Sequence, residues 1–212
     1  MTEQERMLAG RLYNAGDPEL TAARDRAKRL CWRYNQMDPA DYAGRTDLLR
    51  ELLGQLGENS WIEQPFHCDY GAQISLGDQV FINYDCIFLD VAQITIGRRV
   101  LIAPRVGLYT AGHPTAPEAR ATDLEYGRPI VIQDDVWLGG NTVVLPGVTI
   151  GAGTVVAAGS VVTRDLPAGV LAAGNPCRVV RELSEADRAR WMAQVQAYQA
   201  ERGAEETKRP GP

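Results

Sequence analysis

An apolar or small residue recurs every six positions along much of this sequence. A second aliphatic residue usually follows two positions later, as in "ISLGDQ", "ITIGRR" and "VTIGAG". Strands with two inward side chains and a tight turn cannot bury a face alone, but stacked strands close one continuous core. Three hexads per turn therefore predict a mainly β protein, the hexapeptide parallel β-helix. The repeating positions are Ile62, Cys68, Ile74, Val80, Cys86, Ile94, Val100, Val106, Ile130, Val136, Thr142, Val148, Thr154, Ser160 and Leu166.

The hand and the corners of this β-helix are expected from its architecture. We expect the left-handed form, an exception to the right-handed crossover rule that the spacing itself does not show. Gly, Ala or Asn commonly follows the aliphatic pair. Because Gly and Asn tolerate left-handed backbone angles, we expect such angles after each pair. The alternative, a β-sandwich, would show period-two alternation and longer loops.

Helical patterns flank the repeat on both sides. Residues 1–58 predict an α-helical cap of roughly three short helices, from apolar residues at three- and four-residue spacings in "EQERMLAGRLYN", "PELTAARDRAKRLCWRYNQ" and "GRTDLLRELLGQL". We expect the β-helix over 59–183, with a loop extruded at 111–129. Residues 184–212 predict a C-terminal helix, opened by Ser184 and Asp187 in capping-box spacing, and a disordered tail, "EETKRPGP".

Charge and composition exclude several classes of function. The 22 basic and 27 acidic side chains give a formal charge of −5, so we expect no nucleic acid and no membrane as a partner. No apolar run approaches the roughly eighteen residues that span a bilayer, and we expect a cytoplasmic protein. Four scattered cysteines predict reduced, packing thiols. Some β-helix proteins that hydrate carbon dioxide bind zinc through three histidines. This chain has only two histidines and cannot supply such a site, so we predict no metal.

The repeat stops between Val106 and Ile130, and one of the two histidines lies in this interruption. His113, in "GHP", stands at the base of the loop. An imidazole that titrates near pH 6.5 at the root of a loop is suited to remove a proton from a hydroxyl. The alternative is a loop histidine that only hydrogen-bonds to the backbone. His67 falls within the regular repeat, and we expect it to be structural.

Polar residues among the predicted strands offer further chemistry. Asn83 carries a side-chain amide that can donate to a developing oxyanion, and Asp90 carries a carboxylate that can accept a hydrogen bond from a hydroxyl. Asp69 stands in a similar place, in "CDYG". Such residues can instead satisfy the amides of turns at the corners.

Small residues and arginines combine toward the C-terminal end of the repeat. A strip of Gly and Ala lets an extended, pantetheine-like chain approach the backbone closely. Arg164, Arg178 and Arg181 suit phosphate, because guanidinium groups bind phosphate oxygens in pairs. The alternative is that the glycines serve corners and the arginines are solvated.

Taken in order, the helical preface and seven motifs carry a resemblance to a known family. The motifs are "CDYG", "CIFLDVAQITIG", "YTAGHP", "VWLGGN", "PGVTIG", "AGSVVTRDLP" and "AAGNPCRVVREL". From Leu8 to Leu183 the sequence closely resembles the maltose O-acetyltransferases and their galactoside and nodulation-factor relatives. Members of that family are trimers of left-handed prisms that move acetyl from acetyl-CoA to a sugar hydroxyl between subunits. The resemblance therefore implies a homotrimer that uses acetyl-CoA and a sugar acceptor.

The resemblance also implies roles for individual residues. It makes His113 the general base and Asn83 the residue that stabilises the tetrahedral oxyanion. It places acceptor contacts on Asp17, Asp69 and Asp90. Its coenzyme contacts fall on Trp137, Gly140, Ala158, Thr163, Arg164, Arg178 and Arg181. Relatives often carry a lysine at the position of Arg164, which keeps the charge that binds phosphate.

The mechanism implied is direct attack of the acceptor on the thioester, without a covalent acyl-enzyme. One alternative is an acyltransferase for another hydroxyl or amine acceptor, such as an antibiotic or an amino sugar. Drug-modifying relatives usually lack the helical preface, which favours the sugar. A catalytically inactive trimeric scaffold is the other alternative. Retention of His113, Asn83 and the arginines together speaks against it.

Overall fold

The chain folds into a solenoid of short strands flanked by helices, and a computed structural model describes its residues 1–206. The helices are α1 (Glu3–Leu8), α2 (Pro18–Gln36), α3 (Tyr42–Leu52), α4 (Pro117–Arg120) and α5 (Glu185–Glu206). The strands are β1 (Tyr13–Asn14), β2 (Gln55–Leu56), β3 (Trp61–Ile62), β4 (Phe66–Cys68), β5 (Ile74–Leu76), β6 (Phe81–Ile82), β7 (Cys86–Leu89), β8 (Ile94–Ile96), β9 (Leu101–Ile102), β10 (Gly107–Tyr109), β11 (Ala111–Gly112), β12 (Leu124–Gly127), β13 (Ile130–Ile132), β14 (Trp137–Leu138), β15 (Val143–Val144), β16 (Thr149–Ile150), β17 (Val155–Val156), β18 (Val161–Val162), β19 (Val170–Ala173) and β20 (Arg178–Glu182). The first two residues of the predicted tail belong to α5, and 207–212 lie outside the described residues.

Three sheets form the faces of a prism. Sheet 1 contains β2, β5, β8, β13 and β16, and sheet 3 contains β4, β7, β10, β15 and β18. Sheet 2 contains β3, β6, β9, β14, β17 and β19 in parallel, with the antiparallel β20 at its end. All fifteen repeat positions are buried, the most exposed being Cys68 at 8%. The predicted β-helix is confirmed, and its parallel pairing excludes the β-sandwich.

The first turns of the prism are two residues longer than the last ones. Phe66 pairs with Cys86 in sheet 3, twenty residues along the chain, whereas Val143 pairs with Val161, eighteen residues along. The sequence indicates one two-residue slip, after Cys86. The structure has another after Phe66, because Phe66 and Cys68 together form the inward pair of β4.

The glycines that follow the aliphatic pairs serve close packing. Gly77 and Gly97 stand directly after β5 and β8, where the sequence predicts left-handed angles. That prediction is wrong, since the left-handed residues lie two positions later, at Gln79 (φ 60°) and Arg99 (φ 55°). A Cβ on Gly77 would lie 2.8 Å from the carbonyl carbon of Gly97. Glycine at this position therefore allows one turn to stack on the next.

The N-terminal cap contains three helices, and two of them end earlier than the sequence indicates. α1 ends at Leu8, and the following β1 pairs antiparallel with β12 in the long loop. α3 ends at Leu52, and β2 is already the first strand of sheet 1, ahead of the boundary at residue 59. Both strands pair with segments distant in sequence, which a local helical pattern does not reveal.

Helix α2 covers the open edge of sheet 3. The side-chain amide of Asn35 donates to the Phe66 carbonyl (3.0 Å) and accepts from the Phe66 N–H (2.9 Å). Phe66 belongs to β4, the first strand of the sheet, whose outer edge has no strand beside it. Asn35 thus satisfies backbone groups that would otherwise be an unpaired strand edge.

Arg45 of α3 attaches the cap to the same end of the prism. Its guanidinium is buried, donates to the Ile62 carbonyl (3.1 Å) and lies 3.2 Å from a carboxylate oxygen of Glu63. It also lies 4.2 Å from the centre of the Trp61 ring. A buried guanidinium is tolerated only when it is paired in this way, so the contacts fix the cap against the first turn.

We expect Asn35→Ala to lower the free energy of unfolding by about 1–3 kcal/mol, because two backbone groups of Phe66 lose their partner. Urea denaturation at fixed protomer concentration measures the change. Gln36→Ala is the matched control, since Gln36 is exposed on the same helix and should change stability by less than about 0.5 kcal/mol. Equal effects of the two substitutions would contradict this role of Asn35.

Candidate active site

Extra residues enter the prism at one edge of sheet 3. We call corner A the edge where strands of sheet 3 end and strands of sheet 1 begin. Its first three segments are 69–73, 90–93 and 110–129. We call corner B the opposite edge of sheet 3, where strands of sheet 2 end; its segments include 83–85, 103–106, 139–142 and 157–160. Both slips and the long loop lie at corner A, so this corner brings together residues that the regular repeat would keep apart.

Asp90 braces corner A from inside. Its side chain is fully buried, and Oδ1 accepts the backbone N–H groups of Asp69 (3.0 Å) and Tyr70 (2.8 Å). Burial raises the pKa of Asp90 to about 7, with a further contribution from the charge of Asp69, while the backbone N–H donors act in the opposite direction. In this chain Asp90 therefore supports the backbone of Asp69 and Tyr70. Its contact with an acceptor stays a prediction.

Thr110 repeats this arrangement one turn higher and fixes the root of the loop. Its buried hydroxyl donates to the Leu89 carbonyl (2.6 Å) and accepts from the Ala92 N–H (2.9 Å). His113 follows three residues later, exposed to solvent in this chain. The loop histidine is thus attached to a rigid base in the prism.

His113 lies at the end of a small antiparallel sheet. β12 lies between β1 and β11, with Tyr13 opposite Glu125 and Gly112 opposite Tyr126. Continuing the second register by one residue puts His113 opposite Glu125. Directly opposed residues of antiparallel strands project to the same face, so Tyr13, Glu125 and His113 form a row across the three strands.

A polar cavity of about 310 Å³ opens beside this sheet at corner A. Its lining residues are Tyr13, Ala15, Arg24, Lys28, Asp69, Tyr70, Val91 and Glu125. Arg24 donates to the Tyr70 hydroxyl (2.7 Å) and to the Ala15 carbonyl (2.5 Å). The Tyr13 hydroxyl donates to Glu125 Oε2 (2.9 Å). The cavity therefore presents both donors and acceptors, as a ligand rich in hydroxyl groups requires.

Asp69 is one of two half-buried carboxylates in this cavity, with Glu125. Burial raises its pKa, and the positive charges of Arg24 and Lys28 act in the opposite direction. Burial and the neighbouring Glu125 likewise raise the pKa of Tyr13, which keeps its hydroxyl as a donor. The predicted residue Asp69 is therefore the one carboxylate of the three named from the resemblance that lines the cavity.

Asp17 lies outside this cavity, although Ala15 lines it. It is the N-cap of α2, where its carboxylate accepts from the N–H groups of Glu19 (3.0 Å) and Leu20 (3.4 Å). Capping of this kind explains an aspartate at this position without a ligand. Its predicted contact with an acceptor is not tested by these hydrogen bonds.

Asn83 lies at corner B, on the far side of sheet 3 from His113. It follows β6, and its backbone N–H bonds to the Ile102 carbonyl of the next turn (2.9 Å). The four residues of β7 alone separate the two corners by about 13 Å, at roughly 3.3 Å per residue. One chain therefore does not bring Asn83 and His113 together.

The predicted coenzyme residues fall into three places. Gly140 and Ala158 occupy consecutive layers of corner B, above Asn83. Trp137 and Arg181 lie on the outer face of sheet 2, and Arg178 pairs with Ala173 at the end of β19. Thr163 and Arg164 lie at corner A after β18. All except the half-buried Gly140 are exposed in this chain.

Sequence reasoning missed Tyr13, Arg24 and Glu125 as members of the site. Tyr13 falls in a stretch that resembles the end of a helix, and Glu125 lies 112 residues away from it along the chain. The available signal was the insertion itself, since the slips and the interruption all follow strands of sheet 3.

The described residues contain neither a metal cluster nor a membrane helix. No group of three or more His, Cys, Asp or Glu side chains within residues 1–206 could hold a metal ion. No helix in that part of the chain is long and apolar enough to cross a bilayer. Cys31, Cys68, Cys86 and Cys177 are all free and buried, as packing thiols should be.

Comparison with known proteins places this architecture in a family. Residues 6–57 match the maltose acetyltransferase hexapeptide capping motif, and residues 129–164 match the bacterial transferase hexapeptide of six repeats. A maltose O-acetyltransferase from Clostridium difficile 630 is 46% identical over 87% of this chain and 98% of its own, with a TM-score of 0.86. The chain belongs to the hexapeptide-repeat sugar O-acetyltransferase family. 

Two further relatives of this acetyltransferase were solved with ligands. A galactoside acetyltransferase in complex with coenzyme A is 40% identical, over 89% of this chain and 94% of its own, with a TM-score of 0.86. A hexapeptide-repeat acetyltransferase from Vibrio cholerae O1 biovar eltor, complexed with acetyl-CoA, is 46% identical over 87% of this chain and all of its own, with a TM-score of 0.81. The capping motif of this acetyltransferase coincides with α1 to α3, and its six-repeat match covers β13 to β18.

We expect Asp90→Asn to change how the stability of the enzyme depends on pH. The native pKa near 7 exceeds the ordinary value near 3.9, so Asp90 makes the folded state lose stability as the pH rises from about 4 to 7. Asparagine keeps the Oδ1 acceptor and cannot ionise. The stability of Asp90→Asn relative to wild type should therefore rise by about 2–3 kcal/mol between pH 5 and pH 8. Urea denaturation at both pH values measures this, and parallel pH profiles would contradict it.

Proposed function

We propose that this enzyme transfers acetyl from acetyl-CoA to a sugar hydroxyl, with a maltose- or glucose-type acceptor bound at corner A. The polar cavity beside His113 carries the proposal. Family membership supports the reaction class, and relatives solved with CoA and acetyl-CoA support the donor.

The cavity at corner A suits a sugar in both size and chemistry. A volume of about 310 Å³ is at the lower end of the range of small-molecule sites. The carboxylates of Asp69 and Glu125 can accept from hydroxyl groups, while the Arg24 guanidinium can donate to them. Val91 adds an apolar wall against which the ring carbons of a sugar can pack.

His113 acts as the general base in this proposal. Its imidazole removes the proton of the acceptor hydroxyl while that oxygen attacks the thioester carbonyl. The side-chain amide of Asn83 donates to the oxyanion of the tetrahedral intermediate. Collapse breaks the carbon–sulfur bond, and the imidazolium returns its proton to the leaving CoA thiolate. Acetyl thus moves to the sugar with no covalent enzyme intermediate.

The separation of His113 and Asn83 supports a homotrimer with sites between subunits. The two residues lie at opposite edges of sheet 3, so corner A of one chain must face corner B of another to unite them. Rotational symmetry repeats one such contact three times. The proposal therefore takes Asp69, His113, Thr163 and Arg164 from one subunit and Asn83, Gly140, Ala158 and Arg178 from its neighbour, in a cytoplasmic enzyme.

We expect His113→Ala to lower kcat about 10²- to 10⁴-fold, as loss of a general base does, while CoA affinity stays near that of wild type. Release of CoA as free thiol, with maltose, glucose and galactosides as acceptors, measures turnover. His67→Ala is the matched control, because His67 is exposed on β4 within the regular repeat. Normal turnover of the His113 variant would refute the mechanism. A wild type that neither binds CoA nor releases it from acetyl-CoA would favour the scaffold.

Mixed trimers test whether the site is shared. His113→Ala and Asn83→Ala should each be nearly inactive alone. When two differently tagged variants are co-expressed and the mixed trimers purified, some interfaces receive an intact His113 and an intact Asn83. Each mixed trimer then contains one intact site in three, so roughly a third of the sites should be restored. Recovery of that order supports the shared site, and no recovery in verified mixed trimers would place both residues in one subunit's site.

A further inference from the structure

The start of the C-terminal helix encloses a second cavity against sheet 2. This cavity has a volume of about 570 Å³, within the range of about 300–1,000 Å³ for small-molecule sites. Its floor is the row Trp137, Val155 and Leu171, which lie in register on the outer face of the sheet. Trp191 of α5 forms the facing wall. Trp137 and Trp191 are 51% and 59% exposed, so two indole rings offer open faces to the same space.

The charges at the rim suit an anionic ligand with an aromatic ring. Arg181, Arg188 and Arg190 line the cavity together with Glu185 and Asp187, which leaves one net positive charge on a chain of net charge −5. The partners of these arginines are themselves at the rim: Asp187 bonds to Arg181 (2.6 and 3.1 Å), and Glu185 to Arg188 (2.9 Å). A phosphate group can share these donors without leaving a buried charge unpaired.

The pair of Arg181 and Asp187 fixes the helix to the sheet. The Arg181 guanidinium holds the pKa of Asp187 well below its usual range, together with the N–H and hydroxyl of Ser184. Asp187 thus stays ionised over all working pH values. Arg181 of β20 lies opposite Leu171 of β19, so its bond to Asp187 sets the distance between α5 and the floor of the cavity. The cavity is therefore formed before a ligand binds.

The cavity continues the donor path of the proposed function. Gly140 and Ala158 stand three residues after Trp137 and Val155, about 10 Å along strands at 3.3 Å per residue. Asn83 lies three layers from Ala158 at corner B, about 14 Å at the 4.8 Å spacing of strands. A pantetheine chain that leaves the thioester near Asn83 and follows corner B reaches the cavity with its nucleotide end.

We propose that α5 completes the donor site, and that the adenosine end of acetyl-CoA binds in this cavity with its base against Trp191. The inference rests on the proposed function, since it assumes that the donor is acetyl-CoA. The planar base of a nucleotide can stack on the face of an indole ring. The guanidinium groups at the rim then face the phosphates. The helix would thereby act on donor affinity and leave the reacting groups at the two corners unchanged.

The test compares a complete donor with one that lacks the nucleotide. For Trp191→Ala we expect the KM for acetyl-CoA and the Kd for CoA to rise about five- to twentyfold, as loss of a base–aromatic stack does. Acetylpantetheine lacks the adenosine, so the KM of Trp191→Ala for this donor should stay within about twofold of the wild-type value. Tyr198→Ala is the matched control, because Tyr198 is 62% exposed on the same helix and does not line the cavity. Calorimetry gives Kd, and thiol release gives KM.

The possible outcomes separate this inference from the proposed function. A selective loss of affinity for CoA in Trp191→Ala supports it. Equal CoA affinity in variant and wild type overturns it while leaving the proposed function intact. A KM that rises equally for both donors, or a variant that no longer assembles in sedimentation, overturns it as well, because the helix would then serve the fold or a neighbouring copy. A wild type that binds no CoA would refute the proposed function itself.

Discussion

Backbone hydrogen bonding between successive turns is the constraint on which this molecule depends. Each parallel strand of the three prism sheets is two to four residues long, and it pairs with strands of the layers above and below. A turn of the prism therefore has no stability of its own. The two ends need partners that are not further turns: Asn35 supplies one for β4, and the antiparallel β20 supplies one for β19. The flanking segments close the ends of the stack, and this is why helices and an antiparallel strand accompany a regular repeat.

The candidate site arises where that regularity is relaxed. At the corners between sheets 1 and 2, glycines such as Gly77 let turns approach so closely that no side chain fits between them. Corner A is braced differently, by Asp90 and Thr110, whose side chains bond to the backbone of the turn below. Side-chain braces leave room for added residues, and the added residues bring Asp69 and His113 to the surface. The polar cavity and the loop are thus consequences of one change in how a corner is supported.

Most of the fold could be predicted from the sequence because the six-residue period is a property of each strand and its turn. Every repeat position predicted to point inward is buried. The slip after Phe66 was missed because Cys68 fits the six-residue spacing. Cys68 also belongs to the observed inward pair with Phe66. Tyr13 and Glu125 were missed because their contact is distant in sequence, and the burial of Asp90 was missed because burial is a property of the stacked corner. In the proposed trimer His113 meets Asn83 of a neighbouring chain, and no pattern within one chain can display such a contact.

The long segment between β10 and β13 adds eighteen residues to one turn, yet the strands above and below it keep their partners: Ile130 pairs with Ile94, and Ile132 with Ile150. Chain length at this corner is therefore independent of alignment in the stack. Insertions and deletions there can accumulate over evolutionary time without shifting a single inward side chain elsewhere. Acceptor preference in such a protein is free to diverge by changes in loop length as well as by point substitution, while the prism that presents the loop is inherited intact.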